Sequence, residues 1–214
     1  MSATNDMTVG SPDLQRDQPK SRVERKREER IERILRVASI VLAEHGYHNT
    51  SLEMIADRLD LTKASLYHYY DSKDSLFEAC LERVALKSIQ TLNEISRSEG
   101  SATERLRALI VGHLDILISS DRELARLYVQ QLDWPESMLD SIRRWRSEHR
   151  APFDRVIEEG ISTGEFSPRD DLVARHCMFG AMNYLPVWFR SRGKDEDRRV
   201  IDSVAEELVA MFAG

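Results

Sequence analysis

Three features of the sequence predict an all-α protein, built as a small N-terminal three-helix unit followed by a larger helical body. Apolar residues recur at three- and four-residue steps almost throughout, and no stretch alternates with period two over the length of a strand. Gly, Pro and Ser cut this periodic text into segments of helical length. Two of those segments are short and joined by a tight turn, the pattern of a helix-turn-helix.

The elements follow in order. Residues 1–22 are polar, carry Gly10, Pro12 and Pro19 without periodicity, and read as a disordered tail. From Glu28 to His45, the residues Ile31, Ile34, Leu35, Ala38, Val41 and Leu42 form one apolar face, and Gly46 ends that helix. Thr50 or Ser51 caps a short second helix, with Glu53 three residues after Thr50 as a capping box requires. Asp60 and Leu61 turn the chain. Thr62 caps a third helix running to about Tyr69, and Ser72 caps a fourth over about 72–97. The spacing then predicts helices over about 102–119, 121–132, 135–162, 169–190 and 196–212, about nine in all. This division sets a helix-turn-helix unit over 23–71 apart from a larger helical body over 72–214.

Composition narrows the class. Of 214 residues, 41% are hydrophobic and 32% charged, a soluble globular profile with ample core. No apolar run reaches the roughly 18 residues of a membrane span, and no secretory signal opens the chain. The two cysteines, Cys80 and Cys177, read as buried reduced thiols of a cytosolic protein. Net charge is −6, yet between Arg16 and Arg36 nine Lys or Arg face five acids. A basic arm on an acidic body fits a nucleic-acid footprint or a solvated tail. HExxH, paired-Cys, P-loop and G-x-S-x-G patterns are missing, so the sequence gives no reason to expect an enzyme, a cofactor or a metal.

The stretch "LTKASLYHYYDSKDSL" concentrates three tyrosines and a histidine in four residues. If residues 62–69 form the second helix of a helix-turn-helix, Leu66 points inward. With 3.6 residues per turn, Lys63, Ser65, Tyr67, His68 and Tyr69 cannot all follow it. Their polar tips suit phosphates, and Lys63 suits a guanine edge. Lys73 stands in the first turn of the next helix, where free NH groups favour a phosphate. A tyrosine-rich hydrophobic corner explains Leu66 and Tyr70 but not the polar flanks.

Residues 46–81, "GYHNTSLEMIADRLDLTKASLYHYYDSKDSLFEACL", resemble the DNA-binding domain of TetR-type (TetR/AcrR) transcriptional regulators. The resemblance makes 23–71 the DNA-binding domain and 72–214 the ligand-binding and dimerisation domain. It implies a homodimer on a double-stranded, palindromic operator, released by a small-molecule effector, in the bacterial cytoplasm and on the nucleoid when DNA-bound. By position it implies that Thr50 and Ser51 cap the second helix and bond a phosphate. It places Lys63, Ser65, Tyr67, His68 and Tyr69 on the recognition positions and Lys73 on a phosphate. Asp60 and Ala64 stand where the family often has glycine, which leaves the operator sequence open. "FDRVIEEGISTGEF", 153–166, resembles a subgroup that includes regulators of lipid, steroid and acyl-CoA catabolism, although Gly164 has a structural reading as a helix break.

In the body, aromatic and Met stripes offer a pocket: Trp145, Arg146, His149 and Arg150 on one helix, and Phe179, Met182, Asn183 and Trp188 on the next. Such stripes are more often core, and the arginines can be a solvated face. As a pocket they suit a hydrophobic inducer with an anionic end, an acyl-CoA or carboxylate; a neutral or cationic aromatic is the alternative, as is a transcriptional activator of the same fold. A chain that kept the fold and lost operator binding would have no use for Lys63, Tyr67 and Lys73. Residues 172–189 are apolar nearly all round and, with the last helix, predict a two-helix dimer interface.

Overall fold

The computed structural model describes residues 21–118 and 134–213. Among these residues the chain is helical without a strand, in eight helices: α1 (Arg22–Asn49), α2 (Leu52–Arg58), α3 (Lys63–Tyr67), α4 (Lys73–Ser96), α5 (Ala102–Ile118), α6 (Glu136–Thr163), α7 (Asp171–Trp188) and α8 (Lys194–Ala210). The helix expected over 121–132 and most of the expected tail lie outside the described residues.

Local chemistry sets the boundaries. α1 opens six residues before Glu28. Ser21 and Glu24 form a reciprocal capping box there, Ser21 Oγ accepting from Glu24 N (3.2 Å) and the Glu24 carboxylate from Ser21 N (2.7 Å). The basic arm is thus helical from Arg22. Gly46, at φ 73° and ψ 170°, interrupts α1 where the sequence places its end. Ser51 caps α2 by accepting from Met54 N (3.3 Å). The Thr50–Glu53 capping box does not form, because the Thr50 hydroxyl turns inward and donates to Gly46 O (2.8 Å). Asp60 is the one non-glycine residue with positive φ among the described residues, at 54°, and makes the α2–α3 turn. Thr62 caps α3, and Ser72 caps α4 in a box with Ser75.

Two cores result. The first gathers α1, α2, Leu66 of α3 and the N-terminal half of α4, then continues onto Trp134, Met138, Ile142 and Trp145. The second packs α5, α7 and α8 around Phe153, Val156 and Ile157. α4 and α6 therefore run through both, the early part of each against the N-terminal three-helix unit and the late part in the body.

The 153–166 stretch is the corner of the body. Gly164 ends α6 in the left-handed region, at φ 77°. Phe166 folds back so tightly that a Cβ on Gly160 would lie 2.2 Å from its ring. Glu165 accepts from Ala102 N (2.9 Å) and Thr103 N (2.7 Å), capping α5 from another part of the chain. Arg155 donates to Ser96 Oγ (2.6 Å), and Glu159 pairs with the buried Arg105, which also donates to Ser96 O (3.2 Å). Arg155, Glu159, Gly160, Gly164, Glu165 and Phe166 thus each have a structural task.

Two expectations about the body need correction. Cys177 is exposed, not buried, while Cys80 is buried; beside Cys177 on α7, Leu172, Val173, Tyr184, Val187 and Trp188 are exposed in the single chain. On α8, Ile201 and Leu208 are buried in the chain's own second core and are not free to meet a second copy.

Candidate functional site

The surface expected from sequence to meet DNA is built on α3. Leu66 is buried against the first core and fixes the helix, and Tyr69 and Tyr70 pack partly against that core. Tyr67 and His68 are exposed, and Lys63 lies along the Tyr67 ring at 5.9 Å. Its ammonium pairs with Glu53 of α2, which raises the lysine pKa and lowers that of the glutamate, mainly through their hydrogen bond. Ser65 Oγ sits 2.9 Å from Thr62 Oγ1. Beside these residues a groove of about 690 Å³ is lined by Lys26, Arg27, Arg30 and Arg33 of α1 and by His68 and Tyr69, with Glu29 its one acid. Charge counting located the arm; the structure sets its first turns against the end of α3. Thr50 is buried and holds the α1–α2 turn, whereas Ser51 is partly accessible at the N-terminus of α2.

Lys73 sits in the first turn of α4, its ammonium 4.2 Å from the Tyr47 ring centre. Burial lowers its pKa, opposed by Asp74. Asp74 accepts from the Tyr47 hydroxyl and, on its other oxygen, from Ser137 Oγ of α6 (2.6 Å). These bonds, that from Ser137 foremost, hold the Asp74 carboxyl below its ordinary range, while burial and then Asp74 push the Tyr47 phenol up. Ser141, one turn further along α6, donates to Glu78.

The second feature is a cavity of about 320 Å³ between α5, α6 and α7. Of the eight ligand residues expected from sequence, it brings together Arg146, His149, Arg150, Phe179 and Asn183. The other three are elsewhere. Trp145 (2% exposed) is packed in the first core, Met182 is buried in the second, and Trp188 is half exposed on the outer face of α7. The structure adds His113, Arg175, His176 and Gly180. His113 Nδ1 is 3.2 Å from His149 Nε2, and the two rings meet edge to face at 5.0 Å. Burial pushes His113 down to about 3, reinforced by His149 and opposed by Asn183, and pushes His149 down to about 4. Arg175 reaches Asp154 (2.6 Å) and Asp171 (2.8 Å), and Arg150 shares Asp154 (3.1 Å). The Arg150 guanidinium also lies 5.8 Å from the Phe179 ring.

Comparison with known proteins decides the family. Residues 34–80 match the bacterial regulatory proteins of the tetR family, and residues 99–212 match the tetracyclin repressor-like C-terminal domain. The chain belongs to the TetR family of transcriptional regulators. Among its relatives is the fatty acid metabolism regulator protein of Bacillus subtilis, 26% identical over 182 residues, covering 83% of this chain and 92% of that protein. The HTH-type transcriptional repressor KstR2 of Rhodococcus jostii is 24% identical over 83% of this chain and 86% of its own length. The HTH-type transcriptional activator FasR of Mycolicibacterium smegmatis is 32% identical over 42% of each chain. In fold, the Bacillus subtilis regulator FadR in complex with stearoyl-CoA superposes with a TM-score of 0.71 at 24% identity, over 84% of this chain and 98% of that one. A TetR/AcrR-family regulator from Thermobifida fusca gives 0.68 at 27% identity, over 87% and 100%. Among the described residues of this TetR-family chain, no helix is long and apolar enough to cross a membrane.

Proposed function

We propose that this TetR-family regulator is a homodimeric repressor of a palindromic operator, released when a molecule with an anionic end enters the cavity between α5, α6 and α7. The observation that carries the effector reading is the cavity wall, where three arginines and three histidines stand with no lining carboxylate. A guanidinium fork suits carboxylate or phosphate. That a relative is named for fatty acid metabolism and a neighbour holds stearoyl-CoA supports an acyl-CoA or fatty acid as the source of that anion. On the DNA side, Lys63, Ser65, Tyr67, His68 and Tyr69 would face the major groove, with Ser51 and Lys73 on phosphates. The α1 arginines would extend the backbone contact. The exposed apolar face of α7 supports a second copy packing there.

The test is selection of DNA from a randomised library by the purified protein, followed by titration of the selected complex with stearoyl-CoA, stearate and stearyl alcohol. Enrichment of a palindrome and release by the anions alone agree with the proposal. Release by the alcohol at equal concentration, unchanged in Arg146→Ala and Arg150→Ala, would discard the anionic effector. The name of the activator FasR motivates a second reading, activation in place of repression. A promoter-reporter fusion with and without the gene separates the two.

A further inference from the structure

The cavity contains a pair of imidazoles that no arginine-based account of anion binding uses. His113 is only 2% exposed, its Nδ1 faces His149 Nε2 at 3.2 Å, and its Nε2 makes no well-formed hydrogen bond, with the Asn183 side chain near enough only to favour its protonated form. A buried polar nitrogen left unpaired costs stability unless something completes it. Seven of the nine lining residues carry polar side chains, although most of the surface they present to the cavity is carbon, so a ligand with an apolar body and a polar group fits it.

Proton counting says what that group requires. Two neutral imidazoles carry two N–H groups between four nitrogens. One N–H lies in the shared His113–His149 bond. The other occupies one of the two outer nitrogens, and the remaining outer nitrogen is a bare lone pair. A ligand oxygen bearing negative charge is repelled by that lone pair. One added proton turns both outer nitrogens into donors, at the cost of a buried positive charge that the same anion neutralises. The surroundings disfavour that charge until an anion arrives. His113 on α5 faces His149; α6 brings Arg146 and Arg150, with Asp154 behind them; α7 brings Arg175, held by Asp154 and Asp171, together with His176 and Asn183. Burial and the lack of a lining carboxylate keep the pair neutral until an anion arrives.

Building on the effector reading above, we propose that the cavity binds the anionic group of its ligand together with one proton, taken up by the His113–His149 pair. The group is a carboxylate or a phosphate; a neutral molecule of the same shape binds without the proton. No bond other than N–H is made.

Calorimetric titration of the full chain in buffers of different ionisation enthalpy counts the protons. The probes are hexadecanoate (a carboxylate), hexadecanoyl-CoA (phosphates and no carboxylate) and hexadecanol. Uptake of about one proton per site is expected with at least one of the anions and none with the alcohol, with affinity weakening up to about tenfold per unit as the pH rises from about 6 to about 8. The anion that shows it identifies the group. His113→Gln and His149→Gln, each checked by thermal melting, are expected to abolish the uptake. Because the phosphates of the thioester exchange protons themselves, only uptake lost in both variants counts. Anion binding without proton exchange, or exchange that survives both variants, overturns this inference and leaves the effector reading standing. If neither anion binds, both readings fall.

Discussion

Replacing Lys73 by alanine removes one positive charge from the start of α4, and its consequence for DNA binding has a size that can be worked out. If Lys73 neutralises one phosphate, its loss reduces the slope of log affinity against log salt by about 0.9 per contact, and by about 1.8 for two protomers on one operator. Raising the salt fourfold, from about 50 to about 200 mM, then narrows the gap between the parent and the variant by about 3.5-fold for one contact and about 12-fold for two. The loss falls equally on the selected operator and on a scrambled duplex, because a phosphate carries no sequence.

Fluorescence anisotropy on both duplexes across a salt series measures this. Lys73 also packs its ammonium 4.2 Å from the Tyr47 ring, so Lys73→Met is the better-matched control: it keeps the stem and loses only the charge. The cation–ring contact contributes about 0.5–1 kcal/mol, too little to unfold the unit. Parallel lines for parent and variants on both duplexes would show that Lys73 touches no phosphate. A loss confined to the operator would show that it reads a base.

Three further outcomes are expected. Gly160→Ala forces a methyl to 2.2 Å from the Phe166 ring and should destabilise the chain by about 1–3 kcal/mol in denaturant melts, whereas Gly180→Ala, with nothing within 4 Å, should not. Tyr184→Glu, on the exposed face of α7, should give a light-scattering mass near the 24.7 kDa of one chain where the parent gives twice that, without loss of helix by circular dichroism. A variant that stays dimeric places the interface elsewhere. The neutral His113–His149 pair should make the ligand-free protein acid-sensitive. Folding depresses both pKa values from 6.5 to about 3 and about 4, so their contribution is fully present above 6.5 and is lost as pH falls below it. Each histidine costs at most about 1.4 kcal/mol per pH unit in that window. Urea melts between these limits should show the decline, and His113→Gln should flatten it.

Most helix boundaries were legible because they depend on neighbours in sequence. Ser51, Thr62 and Ser72 each accept a backbone NH three residues on, and Gly46, Asp60 and Gly164 take conformations other residues resist. What a helix face packs against is not local information. The stripe carrying Trp145 and His149 reads as one surface, but α6 passes from one core to the other along its length, so Trp145 is core and His149 lines a cavity. His113 escaped notice inside "ALIVGHLDILI" because a lone histidine in an apolar run acquires meaning only from the ring opposite, 36 residues away. The apolar girth of α7 marks a face that needs cover, but only the fold shows which of its residues, Tyr184 and Trp188 among them, this chain leaves exposed.

That passage of α6 between cores bears on how a ligand could act at the DNA. Its cavity residues, Arg146, His149 and Arg150, lie about one and a half to three and a half turns along one continuous helix from Ser137 and Ser141. Those serines bond Asp74 and Glu78 in the first turns of α4. Asp74 holds Tyr47, and the Tyr47 ring lies beneath Lys73. A ligand changes operator affinity only by as much as it prefers one arrangement of this chain of contacts over the other, and a hundredfold preference corresponds to about 2.7 kcal/mol of coupling. Hydrogen bonds to a charged group contribute about 1.5–3 kcal/mol each, less where the carboxylate is as accessible as Asp74. Shifting or breaking the bonds from Ser137 and Tyr47 to this one carboxylate is therefore of the size such a signal needs, and Lys73, the proposed phosphate contact, stands at the end of that chain.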